Sequence, residues 1–184
     1  MTERPSAATL APTPMIDRDP AERGAHPSVA HSTCAESAEI IADIPVGYQR
    51  LPQVGGPFTL ANGPLYVWHE GPVVKFGFRV ETRHTNPMGV CHGGMMATFC
   101  DMLVPLTAHR TTAEVAGRFL PTISLQVDYL APAPLGAWVE GEGQVLRVTR
   151  SLLFGQGLVR ADGVPCARLS GVFKLGPAFP LPPA

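Results

Sequence analysis

The chain has 184 residues, 16% of which are charged, and its formal net charge is −1. The length suits one domain with a core of ordinary size, and a charge so close to neutral is not typical of nucleic-acid-binding proteins. A membrane-spanning helix needs about 18 consecutive apolar residues, and the sequence has no such run. We therefore predict a soluble protein that binds neither nucleic acid nor membrane.

The N-terminal segment and the cysteines favour a cytoplasmic location. Residues 1–20 contain acidic side chains and no apolar run of signal-peptide length, which argues against a secretory or transit peptide. The four cysteines form no CxxC pair and lack the spacing of zinc ligands, and the histidines are scattered. We expect free thiols in a reducing compartment, no metal and no cofactor.

The two ends of the chain differ from its centre in composition. Residues 1–43 are rich in alanine and proline and have few large apolar side chains, too few to offset the entropy lost on ordering. We predict a disordered or weakly structured extension over residues 1–46, in which residues 34–43 could form a short helix. The domain then covers residues 47–176, and a proline-rich tail covers residues 177–184.

The first elements of the domain are a β-hairpin and a turn. Residues 63–85 are rich in aromatic and β-branched side chains and have a turn signal at Glu70-Gly71-Pro72, which predicts a strand on either side of the turn. Further on, Asn86-Pro87-Met88-Gly89 has the residue order of a type I turn. A helix is predicted to follow this turn.

The predicted helix begins near Gly93 and runs to about Thr107. It is apolar nearly all round between residues 95 and 104, which is typical of a helix enclosed on every side. Pro105 lies inside the span and should bend or shorten the last turn.

Four strands are predicted after the helix. The first shows period-two alternation and the others are separated by turn residues, a pattern that predicts half-buried strands. The order of elements is β-β-α-β-β-β-β, so the expected fold class is α+β, with an antiparallel sheet wrapped around one long helix. The alternation of the first strand places Ile123, Leu125, Val127 and Tyr129 on one face and Thr122, Ser124, Gln126 and Asp128 on the other.

The helix contains two unusual features. It begins with His92-Gly93-Gly94 where a capping Ser, Thr or Asp would be expected. Unshielded amides at a helix start carry the positive end of the helix dipole and could hold a polarised carbonyl oxygen. The second feature is Asp101, the single acidic residue between His92 and His109. An aspartate is most often exposed or paired with an arginine, but in apolar surroundings it could act as a general base.

The spacing of these groups favours a site shared between subunits. Gly94 and Asp101 are seven residues apart, which places them on one helix face but about 10 Å apart along the axis. Within one chain the helix-start amides and the Asp101 carboxylate are therefore too far apart to contact the same reacting carbonyl group. Two antiparallel helices side by side could bring the amides of one chain to the Asp101 of the other, in a two-fold dimer.

The spacing Asn86-x-x-Gly89-x-x-His92-Gly93-Gly94, followed by Asp101, resembles the signature of hotdog-fold acyl-CoA thioesterases. It is most similar to that of the phenylacetic-acid-degradation (PaaI-like) branch, which includes eukaryotic medium- and long-chain acyl-CoA thioesterases. The resemblance covers roughly residues 57–175. It implies a hotdog sheet around the helix, a homodimer that is often paired into a tetramer, an acyl-CoA substrate and no metal.

The resemblance also implies roles for individual residues. Asp101 falls at the position of the family's catalytic carboxylate, which acts as nucleophile or as base toward water. Gly93 falls where a backbone N–H polarises the thioester carbonyl, and Gly94 next to it is expected to contact the substrate. Asn86 and His92 fall at positions that orient substrate and water.

Two further positions follow from the same resemblance. Thr122 falls at the family's Ser/Thr position, which positions water beside the carboxylate. Arg150 falls where a basic residue often follows the hairpin, and could meet a phosphate of CoA.

Several alternatives stay open at this level. The domain could bind acyl-CoA without hydrolysing it, as a regulatory module, or it could be a dehydratase that pairs His92 with Asp101. Cys91 beside His92 could be a thiol nucleophile, although no third group that would orient the pair is evident. The sequence leaves open whether the acyl group is aromatic, medium-chain or long-chain.

Overall fold

A computed structural model describes residues 44–52 and 56–178 of the chain. Residues 1–43, with the short helix expected at 34–43, lie outside the described residues, as do residues 179–184 of the tail. The predicted domain limits at residues 46 and 176 therefore stay predictions. Within the described part of the chain, no helix is both long and apolar enough to cross a membrane.

The described chain contains seven strands and two α-helices. The predicted hairpin, helix and four strands are all present, whereas β1 and α1 were not predicted from the sequence. Short 3₁₀ turns cover Thr82–His84 and Ala113–Val115. In chain order the elements are β1 (Gln49–Arg50), α1 (Gly56–Asn62), β2 (Tyr66–Glu70), β3 (Val73–Arg79), α2 (Gly93–Thr111), β4 (Thr122–Tyr129), β5 (Trp138–Val148), β6 (Leu152–Ala161) and β7 (Val164–Lys174).

All seven strands form one antiparallel sheet in the order β1-β2-β3-β5-β6-β7-β4. The predicted hairpin is β2 and β3, joined by a turn at Gly71, whose φ of 55° is in the left-handed region. Strand β4 pairs with β7 on one side and, within residues 44–52 and 56–178, with no strand on the other. The sheet therefore ends in an edge strand that lies beside α2.

Helix α2 packs directly on bare backbone in the middle of the sheet. Strands β5 and β6 carry glycines where the helix crosses them, and a Cβ added at Gly143 would lie 2.6 Å from Thr107 Oγ1. At Gly155 an added Cβ would overlap Val104 Cγ1. Because these glycines have no side chain, the helix lies close enough to the sheet to bury one side completely. The fully buried side chains of this core include Phe76, Phe78, Phe99, Leu103, Val104, Val139, Leu153 and Phe173.

Pro105 was predicted to bend or shorten the last turn of a helix ending near Thr107, and the helix is not shortened. Helix α2 continues through Pro105 to Thr111. Leu103, Val104, Leu106 and Ala108 on either side of the proline are buried, and this packing offsets the hydrogen bond that a proline cannot donate. The carbonyl of Asp101, four residues earlier, is the group that loses its usual donor.

Strand β4 contains a β-bulge that the alternation of its sequence did not predict. Thr122 is paired with Phe173 and Ser124 with Val172, so Ile123 is an extra residue in the ladder. A bulge of this kind reverses which face the preceding side chain points to. Thr122 therefore lies on the helix side of the sheet instead of the outer face, and Ile123 is 57% exposed.

Candidate active site

The turn before α2 folds as its sequence predicted. The Gly89 N–H donates to the Asn86 carbonyl over 3.0 Å, and the φ of Gly89 is 73°. The side-chain oxygen of Asn86 accepts the Met88 N–H at 2.9 Å. The turn thus occupies that oxygen, and the side-chain NH₂ group of Asn86 is the part that could meet a ligand.

The expectation that α2 lacks a side-chain cap is wrong, because His92 caps it. His92 has an extended backbone, and its Nδ1 accepts the Gly94 N–H at 2.9 Å. The cap was missed because histidine is not among the usual N-cap residues. A neutral ring that accepts at Nδ1 carries its proton on Nε2, so the exposed imidazole presents an Nε2–H donor to solvent.

Because His92 caps the helix, the amides of Gly93 and Gly94 are in different states. The amide of Gly94 is taken by His92, whereas the Gly93 N–H has no acceptor among the described residues. The carbonyl of Gly93 accepts the Tyr129 hydroxyl at 2.8 Å. Of the first-turn amides, Gly93 therefore offers the N–H that could hold a carbonyl oxygen. Gly94 contributes a surface without a side chain on the same face as Asp101.

Asp101 lies in the middle of α2, half-buried, and is held by β4. The Thr122 hydroxyl donates to Asp101 Oδ1 at 2.6 Å. Among the described residues no lysine or arginine nitrogen lies within 4.0 Å of this carboxylate. In the described part of the chain the carboxylate is therefore not paired with a lysine or arginine; it has one hydroxyl donor and an open side.

That open side is a cavity of about 690 Å³ along one face of α2. Within one chain this face of α2 is not covered, because the sheet ends at β4. Arg118 lines the cavity but donates to the carbonyls of Leu175 and Gly176, which directs its guanidinium away from Asp101. From α2 the cavity is lined by Gly94, Ala97, Thr98, Asp101, Met102, Pro105, Leu106 and His109.

A second, smaller cavity of about 300 Å³ lies on the other side of the helix start. Gly93, Cys91, Met96, Tyr129 and Cys166 are among its lining residues. The Gly93 amide and the Asp101 carboxylate thus border different cavities of the same chain. They are eight residues apart on one helix, about 12 Å along its axis, so one chain does not bring them together.

The remaining candidate residues lie away from this pair. Arg150 is exposed in the turn between β5 and β6 and does not line the Asp101 cavity. Burial, with a smaller contribution from Cys166, raises the pKa of the Cys91 thiol to about 11. Cys91 is therefore protonated near neutral pH, which disfavours it as a nucleophile.

The described thiols are unpaired, and no metal site is evident. Cys91, Cys100 and Cys166 are free, and Cys34 lies outside the described residues. Within residues 44–52 and 56–178, no three His, Cys, Asp or Glu side chains form a group that could hold a metal ion.

A model of the thioesterase superfamily matches residues 88–167, from the turn before α2 into β7. A candidate esterase of Pseudomonas aeruginosa is 25% identical over 134 residues, which are 72% of this chain and 98% of that protein. Human acyl-coenzyme A thioesterase 13 is 30% identical over 76 residues. These residues are 41% of this chain and 52% of the human protein, so the match spans about half of that relative.

The crystal structure of zebrafish thioesterase superfamily member 2 superposes on this chain with a TM-score of 0.54 at 27% sequence identity. The superposition covers 61% of this chain and 81% of that structure. The chain is therefore similar to proteins of the thioesterase superfamily in both sequence and fold.

The thioesterase model and the relatives named esterase or acyl-coenzyme A thioesterase support a thioester hydrolase, which the resemblance of the Asn86–Asp101 spacing had implied. The antiparallel sheet around one long helix is the hotdog fold, so the predicted fold class is confirmed. The thioesterase match includes the turn at Asn86–Gly89 only in part, but contains His92, Gly93, Asp101, Thr122 and Arg150.

Tyr129 is the residue near the site that sequence reasoning missed. It was interpreted as one apolar side chain of an alternating strand, and nothing in the sequence marks its hydroxyl as different. Its contact with Gly93 depends on β4 lying beside the start of α2, which is a property of the tertiary structure.

Proposed function

We propose that this protein hydrolyses an acyl-CoA to a carboxylic acid and CoA, with Asp101 as the catalytic carboxylate. The observation that carries this proposal is the Asp101 carboxylate at the wall of a largely apolar cavity, with Thr122 donating to its Oδ1 at 2.6 Å. The activity named for human acyl-coenzyme A thioesterase 13 supports CoA as the thiol of the substrate. The phenylacetic-acid-degradation branch stays a prediction.

In the proposed reaction the thioester oxygen accepts the Gly93 N–H, and Asp101 of a second copy acts at the carbonyl carbon. Asp101 either takes a proton from the attacking water or attacks the carbonyl itself and is then released by water. In both routes the C–S bond breaks, CoA leaves as a thiolate that takes up a proton, and one water is consumed. The Gly93 N–H stabilises the charge that develops on the oxygen.

The neighbouring side chains have supporting roles in this proposal. Thr122 occupies one lone pair of Oδ1 and steadies the carboxylate and the water beside it. The Nε2–H of His92 and the side-chain NH₂ of Asn86 are hydrogen-bond donors left by these contacts, and in this proposal they orient the substrate. Arg150 is the candidate contact for a CoA phosphate.

The second copy is inferred from an apolar surface around the open face of α2. Phe58 and Phe119 line the Asp101 cavity and are 64% and 51% exposed, and the outer edge of β4 is unpaired in the part of the chain that the structure describes. Exposed apolar groups and an open strand edge beside one helix face are typical of a protein interface. We propose a homodimer, alone or paired into a tetramer, in which two antiparallel α2 helices complete two sites.

The experiment is hydrolysis of a panel of aromatic, medium-chain and long-chain acyl-CoAs, with a thiol reagent to detect released CoA. Asp101→Asn keeps the size of the side chain and its contact with Thr122 but removes the charge. We expect its kcat to fall at least about 100-fold, the lower range for loss of a general base or nucleophile. The panel also identifies the preferred acyl group.

Asp128→Asn is the matched control, because Asp128 is paired with Arg168 at 2.8 Å on the outer face of the sheet. It should retain the wild-type kcat. An Asp101→Asn enzyme as fast as the wild type would exclude the proposed role of Asp101. Saturable binding of acyl-CoA without thiol release would instead support the non-catalytic binding module.

A further inference from the structure

Tyr129 makes a contact at the start of α2 that the proposed chemistry leaves unused. It is the last residue of β4, and its hydroxyl donates to the Gly93 carbonyl at 2.8 Å. Its ring atoms lie 3.6 Å from the position a Cβ would take on Gly93, which is ordinary van der Waals distance. Tyr129 therefore contacts the residue whose N–H is proposed to hold the thioester oxygen.

The contact extends to His92 through one peptide group. The Gly93 carbonyl and the Gly94 N–H belong to the same peptide unit, and that N–H donates to His92 Nδ1 at 2.9 Å. The Tyr129 hydroxyl, the Gly93–Gly94 peptide and the His92 ring thus form a chain of two hydrogen bonds. A hydrogen bond to the carbonyl of a peptide strengthens the bond that its N–H donates, so Tyr129 favours the ring form in which Nδ1 accepts.

Strand β4 therefore hydrogen-bonds to both residues of α2 that are proposed to be catalytic. Its first residue, Thr122, binds the Asp101 carboxylate, and its last residue, Tyr129, binds the Gly93 carbonyl. The Gly93 N–H lies on the preceding His92–Gly93 peptide, so holding the Gly93 carbonyl acts on that N–H by restricting rotation about the Gly93 backbone. Partial burial raises the pKa of Tyr129 above its ordinary value, and the phenol therefore stays a hydrogen-bond donor throughout the neutral range.

We propose that Tyr129 is a positioning residue of the active site, which aims the Gly93 N–H and holds His92 as the Nε2–H tautomer through the Gly93–Gly94 peptide. This inference rests on the proposed function for its effect on the reaction, but the effect on the His92 ring does not depend on any substrate. The hydroxyl performs this role, and the ring supplies packing.

The test is Tyr129→Phe, which removes the hydroxyl and keeps the ring. Because Tyr129 is 56% exposed, the variant should unfold at the wild-type temperature. We expect kcat for the best acyl-CoA to fall roughly tenfold, the effect of one lost hydrogen bond, with KM nearly unchanged. A residue that only stabilised the fold would not separate kcat from KM in this way.

The second readout is the His92 tautomer, followed by NMR of protein labelled with ¹⁵N in its histidine rings and assigned with a His92→Gln variant. The wild-type ring should be the Nε2–H form, and Tyr129→Phe should show a mixture of both tautomers. The matched control is Tyr48→Phe, which loses a hydroxyl bonded to Glu140 Oε2 at 2.6 Å away from both cavities. It should leave kcat and the His92 signals unchanged.

The kcat of Tyr129→Phe and the state of its His92 ring together test the proposed role of Tyr129. A lower kcat together with a changed His92 ring supports it, and a wild-type value of either quantity overturns it. If wild-type protein releases no thiol from any acyl-CoA, the proposed function fails, while the NMR comparison still tests the link between Tyr129 and His92.

Discussion

His84 connects the hairpin to the active-site helix and is 2% exposed. Its Nδ1 accepts the Glu81 N–H at 3.0 Å, and its carbonyl accepts the His92 N–H at 2.7 Å. The ring also lies edge-on to Phe78. Burial first, and the charge of Arg83 second, lower the pKa of His84. The folded protein thus keeps this imidazole neutral.

The neutral His84 predicts a loss of stability in mild acid. The unfolded chain takes up a proton near the ordinary histidine pKa of about 6.5, whereas the folded chain resists it. The free energy of unfolding should therefore be constant above that pH and fall as the pH drops below it. Urea denaturation at a series of pH values from about 8 to 5 measures the slope.

His84→Asn tests this assignment, because an asparagine Oδ1 can accept the Glu81 N–H but does not titrate. Its stability should depend less on pH than that of the wild type, with a residual slope from His109, whose pKa burial also lowers. His69→Asn, at an exposed position, should keep the wild-type slope. An unchanged slope in His84→Asn would contradict the role given to His84.

Among individual residues, the sequence predicted the local turn well but not which side chains hydrogen-bond to the start of the helix. The turn at Asn86–Gly89 follows from local backbone preferences and was foreseen. The cap by His92 and the contact between Tyr129 and Gly93 were not, because the first is rare and the second joins residues 36 positions apart. The alternation of β4 placed Thr122 on the outer face, whereas the resemblance placed it beside the carboxylate; one extra residue in β4 accounts for the difference.

Among the elements, the close packing of α2 against β5 and β6 depends most directly on single residues. The sequence alternates glycine with polar residues at Gly141, Gly143, Gly155 and Gly157, and the inner face of the sheet at these positions is where the helix lies. A larger side chain there would push the helix away from the sheet, and Asp101 with it.

Gly155→Ala should destabilise the fold because the new Cβ would overlap Val104 Cγ1. We expect the free energy of unfolding to fall by about 1–3 kcal/mol, as for other overpacked cores. Val104→Ala alone should also destabilise, by leaving a cavity. The double variant should be more stable than the sum of the two effects predicts, because the lost methyls make room for the new one. Strictly additive values from urea denaturation would contradict the close packing.

The elements themselves were largely predictable: an apolar segment indicated the helix, a turn signal the hairpin, period-two alternation the first later strand, and turn residues the other three. Two parts were not. Strand β1 has two residues and α1 lies in a segment with several glycines and prolines, so neither has a periodic signal. The continuation of α2 beyond Pro105 depends on packing around Leu103 and Leu106, which overrides the local preference of proline.

For the whole molecule, the central question is whether one chain forms a site by itself. The Gly93 amide and Asp101 border separate cavities on one helix, so a shared site needs two chains. Gly93→Pro removes the amide hydrogen of residue 93. This residue is the first of the helix, a position at which proline is common. The backbone of His92, with φ −62° and ψ 137°, is compatible with a following proline.

A mixture of Gly93→Pro and Asp101→Asn chains should regain activity that each variant lacks alone. A mixed dimer has one site with an intact amide from one chain and an intact carboxylate from the other. With random exchange of subunits in equal amounts, roughly a quarter of all sites are intact, and kcat per chain should recover to about that fraction. The measurement is thiol release before and after subunit exchange, with exchange verified by native mass spectrometry.

Two results would contradict the shared site. One is a mixture that stays as inactive as its components although mixed dimers are present. The other is a wild-type enzyme that is fully active as a monomer. The dimer was predicted from the sequence, because the spacing of Gly94 and Asp101 does not allow one chain to hold one carbonyl with both groups, and it stays a prediction.

The extra residue in β4 makes the length of this strand a determinant of the site. Without Ile123 the regular alternation of the strand would turn the Thr122 hydroxyl toward water instead of toward the carboxylate. Because β4 is an edge strand paired only with β7 in the described part of the chain, this change would leave the register of the other strands intact.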